Sequence, residues 1–384
     1  MTTTYHIQVI QKDREDWMAE LREAVAAEIT EVGLHRTVAA AVSDAPGPSD
    51  APSVAVYLGS YAAVSDAAVA TRIEAAGAAG IVVVPVVEDL SRFGLYVPPS
   101  LALVNGFAWN GVNPARRLAR SLLAELGVED RQRRVFISHK RDDGLGAAEQ
   151  LHDELSHRGF MPFIDRFAIR EGHHVQEAIA DALEDHAFLL LLETPLAHTS
   201  DWVFDEVDYA LSHTMGTLIL QWPGDPTPVP GSNNLPRLRL AVNELTTDSH
   251  EYEVVTASAL DRIVADIEAA HAHGLVRRRR MLLRSIEEAA SASGATACVP
   301  LPDWRLLVEH GGVSTLLGIT PRLPTAQDLQ LLDAARSTVA DDMGAVLVHS
   351  ARILRDERAT HLTWVAGDRE LELTPENAIG GRWR

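Results

Sequence analysis

Residues 187–192 read Ala-Phe-Leu-Leu-Leu-Leu, six apolar side chains with no polar position among them. A strand with one face in water shows a polar residue at every second place, so an unbroken run belongs to a strand buried on both faces. It is also far too short to cross a bilayer, which takes about 20 apolar residues in a helix. Similar runs recur at 81–87 (IVVVPVV) and 217–221 (TLILQ), and segments with helical periodicity lie between them. Strands alternating with helices in this way predict parallel sheets covered by helices on both sides.

Three units of this kind fit the 384 residues. Residues 1–130 alternate strands at 5–11, 36–42, 53–60, 81–87 and 101–107 with helices at 15–29, 66–80 and 114–126. The second unit, 133–250, runs as strand 135–140, helix 144–159, strand 160–165, loop 166–174, helix 175–185, strand 186–193, helix 200–211 and strand 217–223. Residues 251–384 form a smaller α/β region, with a long helix over 258–294 and strands at 314–320, 345–351 and 361–367. The order strand, turn, Ser-Asp, helix, strand recurs in the first two units and reads as an internal repeat. Aligning Ser65-Asp66 with Ser200-Asp201 sets Ala67 against Trp202 and Thr71 against Glu206.

The formal charge of −20 argues against sequence-independent binding to nucleic acid or anionic membranes, both of which need a basic surface. A single cysteine, Cys298, excludes an intrachain disulfide and a cysteine metal cluster. With no basic start followed by an apolar run at the N-terminus, a cytoplasmic protein is the expectation.

Within 200–211 (SDWVFDEVDYAL), helical periodicity gathers Val203, Phe204, Val207, Ala210 and Leu211 on one stripe and Asp201, Asp205 and Asp208 opposite. Glu206 belongs to neither set. It falls on the flank, between Trp202 one turn before and Tyr209 three residues after.

The segments VFISHKRDD, the Ile-Asp closing the second strand, Gly172, EAIADALEDHAFLLLL and Ser-Asp-Trp-Val-x-x-Glu, in this order, resemble a TIR (Toll/interleukin-1 receptor) domain of the bacterial type. The resemblance implies a flavodoxin-like parallel sheet, preceded here by a Rossmann-like or TIR-like α/β unit and followed by a small α/β region. It further implies cleavage of NAD+ at the nicotinamide–ribose bond, giving nicotinamide and ADP-ribose or cyclic ADP-ribose, with NAD+ as substrate and no separate cofactor. By that resemblance Glu206 is the catalytic carboxylate. Ser138, His139, Lys140 and Arg141, then Asp165, Phe167 and Arg170, form the substrate rim, with Trp202 either walling the site or filling core. The implied setting is bacterial antiphage defence, gated by self-association through TIR domains into an oligomer or filament and by a small-molecule or protein activator. Two residues depart from the pattern: His139 stands where tyrosine is frequent, and Glu193, where serine is frequent, places negative charge near a dianionic substrate.

Plainer readings accompany these. Lys140 and Arg141 also fit a solvated strand end. His173 and His174 lack companion ligands and read as exposed loop histidines rather than a metal site. Arg277 to Arg280 read as a solvated or salt-bridged helix face. The alternative for the whole domain is a non-catalytic TIR–TIR adaptor in which Glu206 serves folding or docking.

Overall fold

The computed structural model describes residues 3–31, 34, 38–48, 51–102, 104, 106–128, 133–164, 183, 185–301, 304–339, 343–352, 354, 356–367 and 369–383. In the first unit β1 (Thr3–Gln11), β2 (Val38–Ser43), β3 (Ser53–Leu58), β4 (Val83–Val87) and β5 (Phe107–Ala108) form a wholly parallel sheet in the order 2-1-3-4-5. Helices α1 (Glu15–Glu31) and α3 (Pro114–Glu125) cover the face carrying Val56 and Leu58, while α2 (Ala67–Ala78) covers the face carrying Ala55 and Tyr57. Burial on both faces is why these strands are apolar at consecutive positions. The strand expected over 101–107 is shortened to β5. Pro98 and Pro99 bring the chain into a tight turn at Pro99–Leu101, and proline has no N–H to give to a ladder.

The second unit repeats this order. Strands β6 (Arg134–Ser138), β7 (Met161–Phe163), β8 (Phe188–Glu193), β9 (Gly216–Gln221) and β10 (Arg237–Arg239) are parallel and lie as β10-β9-β8-β6-β7, which is again 2-1-3-4-5 in the unit's own count. Helix α4 (Arg141–His157) packs on Val135, Ile137, Leu190 and Leu192, and α5 (Asp201–Ser212) packs on Phe136, Leu189, Leu191 and Ile219. The loop expected over 166–174 lies outside the described residues, as does nearly all of the helix expected over 175–185. A two-stranded hairpin, β11 (Leu245–Thr247) and β12 (Glu253–Val255), closes the unit.

In the third unit β13 (Ala297–Leu301), β14 (Arg305–His310) and β15 (Val313–Thr320) run antiparallel, after which β16 (Gly344–His349) and β17 (Leu371–Pro375) continue parallel in sequential order. The crossovers contain α7 (Ala326–Val339) and α8 (Asp356–Ala366). Helix α8 contains nearly all of 361–367, which the sequence presented as a strand. Its local residues Thr363, Trp364 and Val365 favour a strand, but Leu362 and Ala366 stand four apart and both enter the core, a helical spacing.

One helix joins the three sheets. The 36-residue α6 (Ala257–Ala292) gives Ile263, Val264 and Ile267 to the second core, Ala272 to the first, and Ile286 and Ala290 to the third. It crosses β9 at Gly274 against Gly216, where a Cβ on Gly274 would lie 2.8 Å from the Gly216 Cα. In the arginine run 277–280, read as a solvated or salt-bridged face, Arg277 is exposed and Arg280 half-buried, whereas Arg278 and Arg279 are buried. Arg278 is paired with Glu376, and Arg279 donates to the Ala124 carbonyl oxygen at 3.2 Å.

Where α6 meets the first two sheets, Arg133 and Glu268 form an ion pair at 2.8 Å with both side chains 1% exposed. The Arg133 guanidinium also donates to the Arg158 carbonyl oxygen at 3.0 Å and lies 3.8 Å from the Phe160 ring centroid. Burial, and then the charge of Glu268, raise the pKa of the neighbouring Tyr5 hydroxyl, which stays neutral. Removing one partner strands the other charge away from water, so Glu268→Ala should cost about 3–5 kcal/mol. The joint change Arg133→Met with Glu268→Leu should cost far less, and urea unfolding of the two variants beside the wild type checks both outcomes.

Candidate functional site

Helix α5 begins at Ser200, whose hydroxyl oxygen accepts from the Val203 N–H at 3.4 Å, and Asp201 suits the positive end of the helix dipole. Its buried side chains are Val203, Glu206, Val207 and Ala210. Glu206 therefore lies inside the buried stripe, 6% exposed, and not on its flank. Phe204 and Leu211, which the periodicity placed on that stripe, are exposed, and Trp202 is 44% exposed and fills no core. The buried face is turned by roughly 50°, half a residue step, from the one that apolar periodicity alone selects.

The sheet beneath α5 supplies the physical reason. Side chains alternate along a strand, so Ser138 shares the α5 face with Phe136, Glu193 with Leu191, and Gln221 with Ile219. At the carboxyl ends of β6, β8 and β9 that face thus changes from apolar to polar, and α5 enters from this end. Open α/β sheets bind their ligands at this edge. Ser138 is fully buried, and its hydroxyl has no hydrogen-bond partner among the described residues.

Glu193 does not offer free negative charge to a substrate. Its carboxylate accepts from the half-buried Arg237, Nε and Nη2 at 3.1 Å each, and from the buried Gln221 Nε2 at 2.9 Å and Ser232 Oγ at 3.2 Å. A bidentate guanidinium compensates the charge in place. No local signal shows this, because Arg237 lies 44 residues along the chain.

The first-strand rim is engaged as well. Lys140 precedes α4, and its Nζ donates to Thr199 Oγ1 at 2.7 Å, in the turn just before α5, and lies 3.4 Å from Asp142. Asp143 accepts from Thr194 Oγ1 and from the Leu196 N–H, both at 2.8 Å. Together Lys140 and Asp143 fasten the β8–α5 connection to the start of α4. Sequence reading missed Asp143, whose only signal is an acidic residue in a first helical turn. His139 is buried, with Nδ1 3.5 Å from the Ile137 carbonyl oxygen, and Arg141 is exposed. Asp165, Phe167, Arg170, His173 and His174 lie outside the described residues. Among the described residues no group of three His, Cys, Asp or Glu side chains could hold a metal ion, and no helix is long and apolar enough to cross a membrane.

Residues 135–241 match the family model described as TIR domain, a span that runs from β6 through β10. The second unit of this chain is a TIR domain, with the flavodoxin-like strand order and parallel sheet given above. That family includes NAD+ hydrolases and non-enzymatic adaptors. No curated protein matches the chain.

At the far end of α5, His213 packs on Tyr209 with ring centroids 4.3 Å apart. Burial, then the positive charges of Arg352 and Arg278, hold its pKa below the ordinary 6.5, against the opposing pull of Glu376. A depressed folded pKa means that the unfolded chain binds the proton more readily. The stability tied to His213 is thus complete above about pH 6.5 and is lost as pH falls through the lower folded value. Thermal melts from about pH 7.5 to about pH 5 should show a steeper loss of Tm for the wild type than for His213→Asn.

Proposed function

We propose that this protein is an NAD+ nucleosidase that releases nicotinamide, with Glu206 as the catalytic carboxylate. The observation that carries the reading is Glu206 itself, the one charged side chain on the buried stripe of α5, in a domain whose family includes NAD+ hydrolases. Nicotinamide leaves as a neutral molecule and needs no general acid. The bond pair departs with the ring nitrogen, and the ribose develops oxocarbenium-like positive charge. A fixed carboxylate shielded from water stabilises that charge more strongly than it would in bulk solvent. Water, or a nucleophile within the same substrate, then completes a linear or cyclised ADP-ribose.

In this reading the Ser138 hydroxyl, unpartnered among the described residues, accepts or donates to the bound nucleotide. Lys140 leaves Thr199 to meet the diphosphate. Asp165, Phe167 and Arg170 complete the rim, as the TIR resemblance implies. The setting we assign is bacterial antiphage defence in the cytoplasm, with self-association of TIR domains on activation. We read residues 1–130 as a TIR-like copy without the chemistry, since it shares the strand order and carries Thr71 where the Ser-Asp alignment places Glu206. The adaptor reading draws on the exposed apolar side chains Leu196, Trp202 and Phe204, which offer apolar surface to another protein.

Glu206→Gln keeps the size and one acceptor oxygen, and removes the charge. It should lower nicotinamide release from NAD+ by about 10²–10³-fold. Equal turnover by the two proteins at matched assembly state would overturn the assignment. Lys140→Ala should raise KM about tenfold while leaving kcat within a factor of about two, as loss of a ground-state contact requires. Steady-state kinetics over a range of NAD+ concentrations separates the two constants.

A further inference from the structure

Arg352 follows β16 in the third unit, yet its side chain ends in the TIR domain. It is 3% exposed, and its Nη1 donates to the carbonyl oxygens of Leu183 and His186, at 3.0 Å each. The same guanidinium lies 5.5 Å from the ring centroid of Tyr209, three residues beyond Glu206 on α5. Arg358 adds an ion pair to Asp185 at 2.8 Å. Leu183, Asp185 and His186 lie just ahead of β8, so the third unit holds the approach to β8 and the Glu206 helix together.

The holding loop is itself anchored. Glu376 accepts from the Ala351 N–H at 3.0 Å and from Arg278 Nη1 at 2.9 Å, and Arg278 Nη2 donates to Ser350 Oγ at 3.1 Å. A continuous chain of contacts therefore runs from α6 through Glu376 and Ser350 to Arg352 and on to α5. In the state so held, Glu206 is 6% exposed, and its carboxylate must become accessible before a ribose can be brought against it.

We propose that Arg352 is an autoinhibitory latch: the C-terminal sheet clamps the TIR domain in its closed state, and release of the clamp frees the Glu206 helix. The effect on turnover rests on the NAD+ reading above; the clamp itself does not. A lysine cannot replace the arginine fully, because a single ammonium lacks the planar fork that spans carbonyls and ring.

The test uses the full chain as wild type, Arg352→Ala, Arg352→Lys and the milder Arg358→Ala, each made with and without Glu206→Gln. Two quantities are read: amide hydrogen exchange over 201–213 and nicotinamide release from NAD+. Arg352→Ala should speed exchange there about tenfold, leave the β1–β3 core unchanged, and raise Glu206-dependent release about tenfold. Arg352→Lys and Arg358→Ala should move both readouts the same way by less, and Arg358→Ala keeps the test open if Arg352→Ala does not fold. Unchanged exchange over 201–213 in every variant would overturn the latch, as would faster exchange with release equal to or below wild type in a chain that is active. Silence from every chain, variants included, would remove the NAD+ reading, and exchange alone would then decide the latch.

Discussion

A guanidinium and a carboxylate, both withdrawn from water, lie where two parallel sheets meet one helix. Arg133 opens the TIR unit and Glu268 sits about a third of the way along α6, so their pairing fixes the register of the helix on the unit it covers. Tyr5 and Phe160 close around the pair from the first and second units. Neither charge tolerates the loss of the other in such a place, which makes this junction a matter of geometry more than of net attraction. From it α6 runs on past Gly216 and Gly274, where two backbones touch without side chains between them, and into the third sheet.

The candidate site inherits that rigidity. Its sheet face ends in Ser138, Glu193 and Gln221, and the one carboxylate that would repel an anionic substrate is already answered by Arg237. Glu206 lies on the buried stripe of the helix that packs on this sheet face, whose own carboxylate is charge-compensated. The contacts that hold α5 come from two sides. Lys140 and Asp143 reach the connection before it from the first-strand end, and Arg352 reaches its far half from the third unit.

Much of this was legible in the residues. Runs such as 187–192 and 81–87 announced two-sided burial, and the two parallel sheets followed. The Ser-Asp-Trp-Val-x-x-Glu segment singled out Glu206 because an acidic residue had left the acidic face of its helix. Legibility failed where distant partners decide. Nothing near Glu193 announces Arg237, nothing near residues 277–280 announces Glu376 or Ala124, and nothing near Leu183 announces Arg352. It failed too at 361–367, where β-branched and aromatic residues mask a helix that enters the core through Leu362 and Ala366, with Val365 packed beside them.

By itself, then, the sequence determined most elements of the first two units and their layering, but not β13, β14, β17, α7 or α8 of the third; apolar period and run length are local properties that the backbone turns into strands and helices where they are clear. It also determined which helix carries the unusual carboxylate. The tertiary structure alone decided which way that helix turns, that Glu206 is inward and Trp202 outward, and that an arginine run serves as ties between units. Those outcomes depend on which side chains meet across tens to hundreds of residues, and such meetings are set by packing and charge compensation among sheets, not by the order of residues within any one segment.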